Sequence, residues 1–145
     1  MKRLIAASCL LLSSTLAFAG PDFSGTYKLD PATKFPTNRP IRSPLGTVKI
    51  EQKGGALTLT LISSVQDANF GGIECSAPGK CQVYGFSHKP QENTAVVIEG
   101  NVISVNSTIP GARSPIERFE LSADGKQLLV TYGHEMPPKS VYNRQ

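Results

Sequence analysis

From Thr47 onward, apolar and polar side chains alternate with a period of two, and Gly, Asn, Asp and Pro cut the alternation into short runs. Successive side chains of a β-strand point to opposite faces, so this pattern buries every second residue as strand and has no helical equivalent. Val48 and Ile50 alternate with Thr47, Lys49 and Glu51, and after Gly54-Gly55 the run Leu57, Leu59, Leu61 alternates with Thr58 and Thr60. That spacing predicts a hairpin with three leucines on one face. Thr94 to Glu99 turns at Gly100-Asn101 into Val102 to Thr108, a second hairpin. Phe119 and Leu121 turn at Asp124-Gly125 into Leu128, Val130 and Tyr132, a third. Phe23 to Leu29, Cys81 to Phe86 and Lys139 to Arg144 read as further strands, whereas Ser63 to Gly72, with Asp67, Asn69 and Gly71-Gly72, reads as irregular chain.

The expected fold is all-β, with eight or nine strands joined mostly by turns between neighbours. Closing them into an antiparallel up-and-down β-barrel removes both free edges and covers the apolar face in one step. A two-sheet β-sandwich is the alternative, because local alternation does not separate the two. Asp30 to Pro44 interrupts the strands with Pro31, Pro36, Pro40 and Pro44. Each proline removes an N–H donor and pushes its predecessor out of the α region, so the stretch is a long loop. It is either a lid over the barrel mouth or a stiff surface connection.

At the N-terminus, Lys2 and Arg3 precede the apolar run Leu4 to Phe18, and Ala17-Phe18-Ala19 supplies the small-x-small pattern of a signal-peptidase site. Residues 1–19 are expected to be a cleavable signal peptide of bacterial type, leaving residues 20–145 as one domain, secreted or periplasmic. The apolar run is shorter than the roughly 20 residues of a spanning helix, so no transmembrane segment is expected after cleavage. Lys2 and Arg3 account for two of the formal charges behind the net +4. The remaining charges are dispersed and form no basic stripe with interleaved aromatics, which sets a nucleic-acid partner aside. Cys75 and Cys81 bracket Ser-Ala-Pro-Gly-Lys, whose Pro78-Gly79 is a turn signal. A disulfide is the expected state in an oxidising compartment, and a metal set of Cys75, Cys81, His88 and His134 is the alternative.

The opening strand places Gly25, Thr26 and Tyr27 a few residues into the processed chain. This resembles the lipocalin and calycin families, whose first strand carries Gly-x-Trp at the closed end of the barrel. The resemblance implies a lipocalin-like barrel in which Gly25, Tyr27 and Arg144 are structural. In those families a basic residue near the end of the last strand packs over the first-strand tryptophan, the place Arg144 would take over Tyr27. The final strand, Lys139-Ser140-Val141-Tyr142-Asn143-Arg144, also resembles that of intracellular lipid-binding barrels, in which an Arg-x-Tyr pair grips a fatty-acid carboxylate. Tyr142 matches the tyrosine, but Ser140 stands at the arginine position, so the clamp requires Arg118 or Lys139 to point inward.

Catalytic signatures are sparse. There is no Gly-x-Ser-x-Gly, no His-Glu-x-x-His and no phosphate-cradling glycine loop, and neither a catalytic residue nor a cofactor is expected. His88 and His134 sit in loop contexts and read as solvent-exposed, while Glu117 and Glu120 fall on opposite faces of a strand. The first functional expectation is a small apolar or amphipathic ligand held in the barrel interior, with Tyr142, Arg118, Leu59, Leu61, Phe119 and Tyr132 as candidate contacts. A second is a protein-directed module, such as an exported enzyme inhibitor, acting through rigid loops at Cys75–Cys81, Pro110-Gly111 and Pro137-Pro138. A third is a structural domain associated with the cell envelope.

Overall fold

The computed structural model describes residues 17–33, 45–64, 67–133 and 140–145. Nearly all of the expected signal peptide, most of the proline-rich loop, and residues 134–139 with His134, Pro137-Pro138 and Lys139 lie outside the described residues.

Among the described residues ten antiparallel strands form one sheet: β1 (Gly25–Leu29), β2 (Leu45–Lys53), β3 (Ala56–Ser63), β4 (Asn69–Ala77), β5 (Lys80–Tyr84), β6 (Thr94–Glu99), β7 (Val102–Ser107), β8 (Glu117–Leu121), β9 (Gln127–Tyr132) and β10 (Ser140–Arg144). Their spatial order is β5-β4-β3-β2-β1-β10-β9-β8-β7-β6, so every sequential pair except β5 and β6 is hydrogen-bonded, and β1 joins β10. The sheet is a nearly closed barrel. The three expected hairpins are present, and the first and last strands lie side by side with Tyr27 opposite Arg144.

One stretch differs. The chain expected to be irregular up to Gly72 is already strand from Asn69, which raises the strand count to ten. Gly71 and Gly72 read locally as breakers, but they allow β4 to lie close on its neighbours. A Cβ on Gly72 would overlap the carbonyl oxygen of Leu59, and one on Gly71 that of Tyr84. Missing side chains here mark close backbone approach. A bulge between Leu61 and Ile62 then absorbs the register change in the β3–β4 ladder.

The inward-facing residues are apolar and buried, among them Val48, Ile50, Leu57, Leu59, Leu61, Ile73, Ile103, Val105, Phe119, Leu128, Val130 and Tyr142. Each contributes on the order of 2 kcal/mol relative to an exposed side chain. Outward positions between them, such as Lys49, Glu51, Thr58, Glu74 and Glu120, are exposed or half-buried. Among the described residues no helix is long and apolar enough to cross a membrane.

The meander gives the two ends different characters. At one end the connections are short: Gly54-Gly55, Pro78-Gly79, Gly100-Asn101 and residues 122–126. There Phe23 and Tyr27 plug the barrel, the Tyr27 hydroxyl donating to the Phe23 carbonyl at 2.8 Å. The Arg144 guanidinium carbon lies 5.7 Å from the Tyr27 ring centroid, and its terminal nitrogens donate to the Gly125 and Ser24 carbonyls. Gly25 makes room for this, since a Cβ there would stand 2.8 Å from the Arg144 Nε. The opposite end carries the described residues of the longer connections, 30–33, 64, 67–68, 85–93, 108–116 and 133, and is the long-loop end.

Tyr142 is enclosed within the barrel, and burial pushes its phenol far above the usual tyrosine range. Burial also raises Tyr27, against an opposing pull from Arg144. A group whose pKa is higher folded than unfolded contributes fully below the unfolded value and loses that contribution as pH rises toward the folded one. The protein is therefore expected to lose stability progressively above about pH 10, where unfolded tyrosines ionise. Tyr142→Phe should flatten that alkaline decline in urea melts taken at increasing pH. An unchanged slope would remove Tyr142 as its source.

Candidate functional site at the long-loop end

The connection between β5 and β6 builds the most unusual surface of the molecule. A short 3-10 turn, Phe86–His88, is held by hydrogen bonds from the Gly85 N–H to the Lys89 carbonyl (2.8 Å) and from the Gln91 N–H to the Val83 carbonyl (2.8 Å). Three non-glycine residues in this connection sit in the left-handed region: Ser87 (φ 60°), His88 (φ 55°) and Asn93 (φ 57°). Such residues cost about 1 kcal/mol or more each and persist where the surroundings over-determine them, often beside binding sites.

The strained turn displays a cluster of rings. Phe86 is 59% exposed and packs tilted on Phe70, itself 38% exposed, with centroids 5.4 Å apart. His88 stacks flat on Tyr84 at 4.0 Å, with its Nε2 3.6 Å from the Glu74 carboxylate. The sequence-based expectation for His88 is a plain exposed loop residue. It is exposed, but the turn fixes it against a neighbouring ring.

Beside these rings a pocket of about 70 Å³ enters the barrel. Leu59, Leu61, Ile73, Val83, Val105 and Phe119 form its apolar walls, and Phe70, Tyr84, Gln91 and Glu117 also line it. Its volume is about half that of a roughly 150 Å³ cavity that admits benzene, and well below the roughly 300 Å³ at which small-molecule pockets begin. The lumen is thus largely filled by its own side chains, and the remaining space takes the end of a molecule rather than a whole lipid.

No known family model, curated protein or solved structure matches this chain.

Leu59, Leu61 and Phe119, among the candidate contacts from sequence, are brought together in the pocket wall. Tyr142 lies within the core and is not among the pocket-lining residues. Tyr132 is half-buried at the long-loop end, opposite Glu117 in the β8–β9 ladder. Arg118 does not point inward. It lies one position from the buried Phe119, so the period of two turns it to the outer face, where its Nη2 is 3.3 Å from the Glu120 carboxylate. It lines a separate outer groove of about 320 Å³ with Val97, Glu99, Val102, Ser104, Asn106 and Pro115. Ser140 is buried at the position that would hold the arginine of a carboxylate clamp, and Arg118 does not complete it.

The rigid loops also separate. Cys75 and Cys81 form a disulfide that pins the β4–β5 turn at the short-turn end, whereas Pro110-Gly111 belongs to the long-loop end. They do not share one surface. Among the described residues no group of three His, Cys, Asp or Glu side chains is placed to hold a metal ion. Sequence reasoning missed Phe70, Tyr84, Phe86 and Gln91. The available signal was two phenylalanines adjoining glycines, Phe70-Gly71-Gly72 and Gly85-Phe86, because a glycine beside an aromatic permits close backbone approach.

Proposed function

We propose that this is an exported, lipocalin-like binding protein that takes one small amphipathic molecule at its long-loop end, with only the molecule's apolar end entering the lumen. The observation that carries this reading is the continuity of the 70 Å³ pocket, walled by both apolar and polar groups, with the exposed rings, since Phe70 belongs to both. The rings would cover the part of the ligand left outside, and Gln91 and Tyr84 offer polar contacts at the mouth. A rim held in place before binding lowers the ordering cost of association.

Native mass spectrometry of the purified protein, followed by organic extraction, tests this. The expected result is a bound small molecule released on unfolding. Phe86→Ala should lower its occupancy about tenfold, matching the roughly 1.4 kcal/mol of one well-placed aromatic contact, while leaving stability within about 0.5 kcal/mol because the ring is exposed. A bare mass, combined with no shift of the Tyr84 and Gln91 amide resonances across a panel of short alkyl and aryl amphiphiles, would sink the proposal.

A further inference from the structure

The outer face of β6, β7 and β8 carries the groove of about 320 Å³, which shares no lining residue with the rim pocket. A small side chain between larger ones creates it. Ser104 stands directly between Val97 of β6 and Arg118 of β8 in the two ladders, so the row dips at its centre. One row toward the short-turn end Glu99 is opposite Val102, and one row the other way are Asn106 and then Pro115. The Ser114 hydroxyl donates to the Asn106 Oδ1 at 3.0 Å, which ties the chain just before Pro115 to the sheet. With its oxygen so engaged, the Asn106 carboxamide keeps its NH₂ as a donor. The volume reaches the roughly 300 Å³ at which small-molecule pockets begin.

Polar groups in the groove are sorted by type. The Glu99 carboxylate, which has no ion-pair partner among the described residues, lies at the short-turn side. The Ser104 hydroxyl, the Asn106 amide and the Arg118 guanidinium, all donors, gather on the other. Arg118 engages Glu120 through Nη2, and because a guanidinium has five N–H groups it retains donors for a second carboxylate. Val97, 38% exposed, and Val102 supply apolar surface beside both charges.

We infer that this groove is a second binding site, for a free di- or tripeptide with apolar side chains, its α-ammonium on Glu99 and its α-carboxylate on Arg118. The spans agree. Glu99 and Arg118 are two strand spacings and one two-residue step apart, on the order of 12 Å between Cα atoms. Two or three extended residues cover about 7–10 Å, and the Glu99 and Arg118 side chains reaching over the groove close the difference. A single amino acid is too short to meet both charges. The peptide's own carbonyl accepts from Ser104 or Asn106, and its apolar side chains rest on Val97 and Val102. A simple anion satisfies only Arg118, and the carboxylates of Glu99 and Glu120 repel it.

Titration of the isotope-labelled protein with valyl-valine, followed by its amide resonances, tests this. The Val97, Ser104 and Asn106 amides are expected to shift along one saturation curve, while Tyr84 and Gln91 at the rim stay in place. Acetylating the peptide's amine should weaken binding about fivefold, the size of one exposed ion pair. Glu99→Gln should weaken valyl-valine by the same factor and leave the acetylated peptide unchanged, because that contact is already gone. Amidating the carboxylate and Arg118→Gln form the matching pair at the other end. Unmoved Val97, Ser104 and Asn106 amides, or blocked peptides that bind as tightly as the free one, would overturn the assignment without reference to any variant. So would a Glu99→Gln loss that is equal for free and acetylated peptide.

Discussion

Tyr27→Ala is expected to be among the most damaging single substitutions in this protein, lowering stability by about 3–5 kcal/mol. The ring is fully enclosed, and Tyr27 is opposite Val48 of β2 and Arg144 of β10 in the two ladders that β1 makes. Three losses coincide. The cavity accounts for most of the cost, the Phe23 carbonyl loses its 2.8 Å donor, and Arg144 loses the aromatic face beneath it. The last two contribute on the order of 1 kcal/mol each. Because a domain of this size has only about 5–15 kcal/mol in total, a large share is at stake. Tyr27→Phe isolates the hydroxyl and should cost about 1–2 kcal/mol. Urea unfolding of the three proteins reads the series. An alanine variant within about 1 kcal/mol of wild type, below the range for emptying an enclosed aromatic site, would mean that the barrel closes without the plug.

Gly72→Ala is expected to be comparably severe for the opposite reason, an added atom instead of missing ones. The new Cβ would overlap the carbonyl oxygen of Leu59, and the nearest atoms also include the Thr60 backbone. Backbone cannot rotate away as a side-chain tip can, so β3 and β4 must separate where Gly72 pairs with Thr60. Overpacking usually costs about 1–3 kcal/mol, and a clash with a ladder carbonyl belongs at or above the top of that range. At roughly 4 °C per kcal/mol, the melting temperature should fall by about 12 °C or more. Gly79→Ala is the control: nothing lies within 4 Å of its Cβ, so it meets only the cost of φ +77° and should lose about 1 kcal/mol. Equal melting temperatures for the two variants would refute the close-approach account of β4. Because Leu59, Gly72 and Ile73 line the pocket, Gly72→Ala should also abolish the ligand occupancy that the proposed function expects.

These two residues show how unevenly the structure was legible. Tyr27 stood out because a glycine, a spacer and an aromatic open an alternating run, and the packing of Arg144 over its ring is found in the structure. Gly72 pointed the wrong way. Beside Asp67, Asn69 and Gly71 it read as irregular chain, yet it sits within a nine-residue strand. Glycine weakens an isolated strand, and only the neighbouring backbone shows that a side chain at that position has no room.

Alternation, turn residues and paired cysteines determined that this chain is all-β, which face of each hairpin is apolar, and that Cys75 joins Cys81, because all of these are set by residues close in sequence. Tertiary structure decided what no local pattern holds. It set that β1 lies beside β10, how completely inward side chains fill the lumen, and which end gathers Phe70, Tyr84, Phe86 and His88. Those features depend on strand stagger and on volumes summed across the barrel, and neither quantity exists until distant strands are brought together.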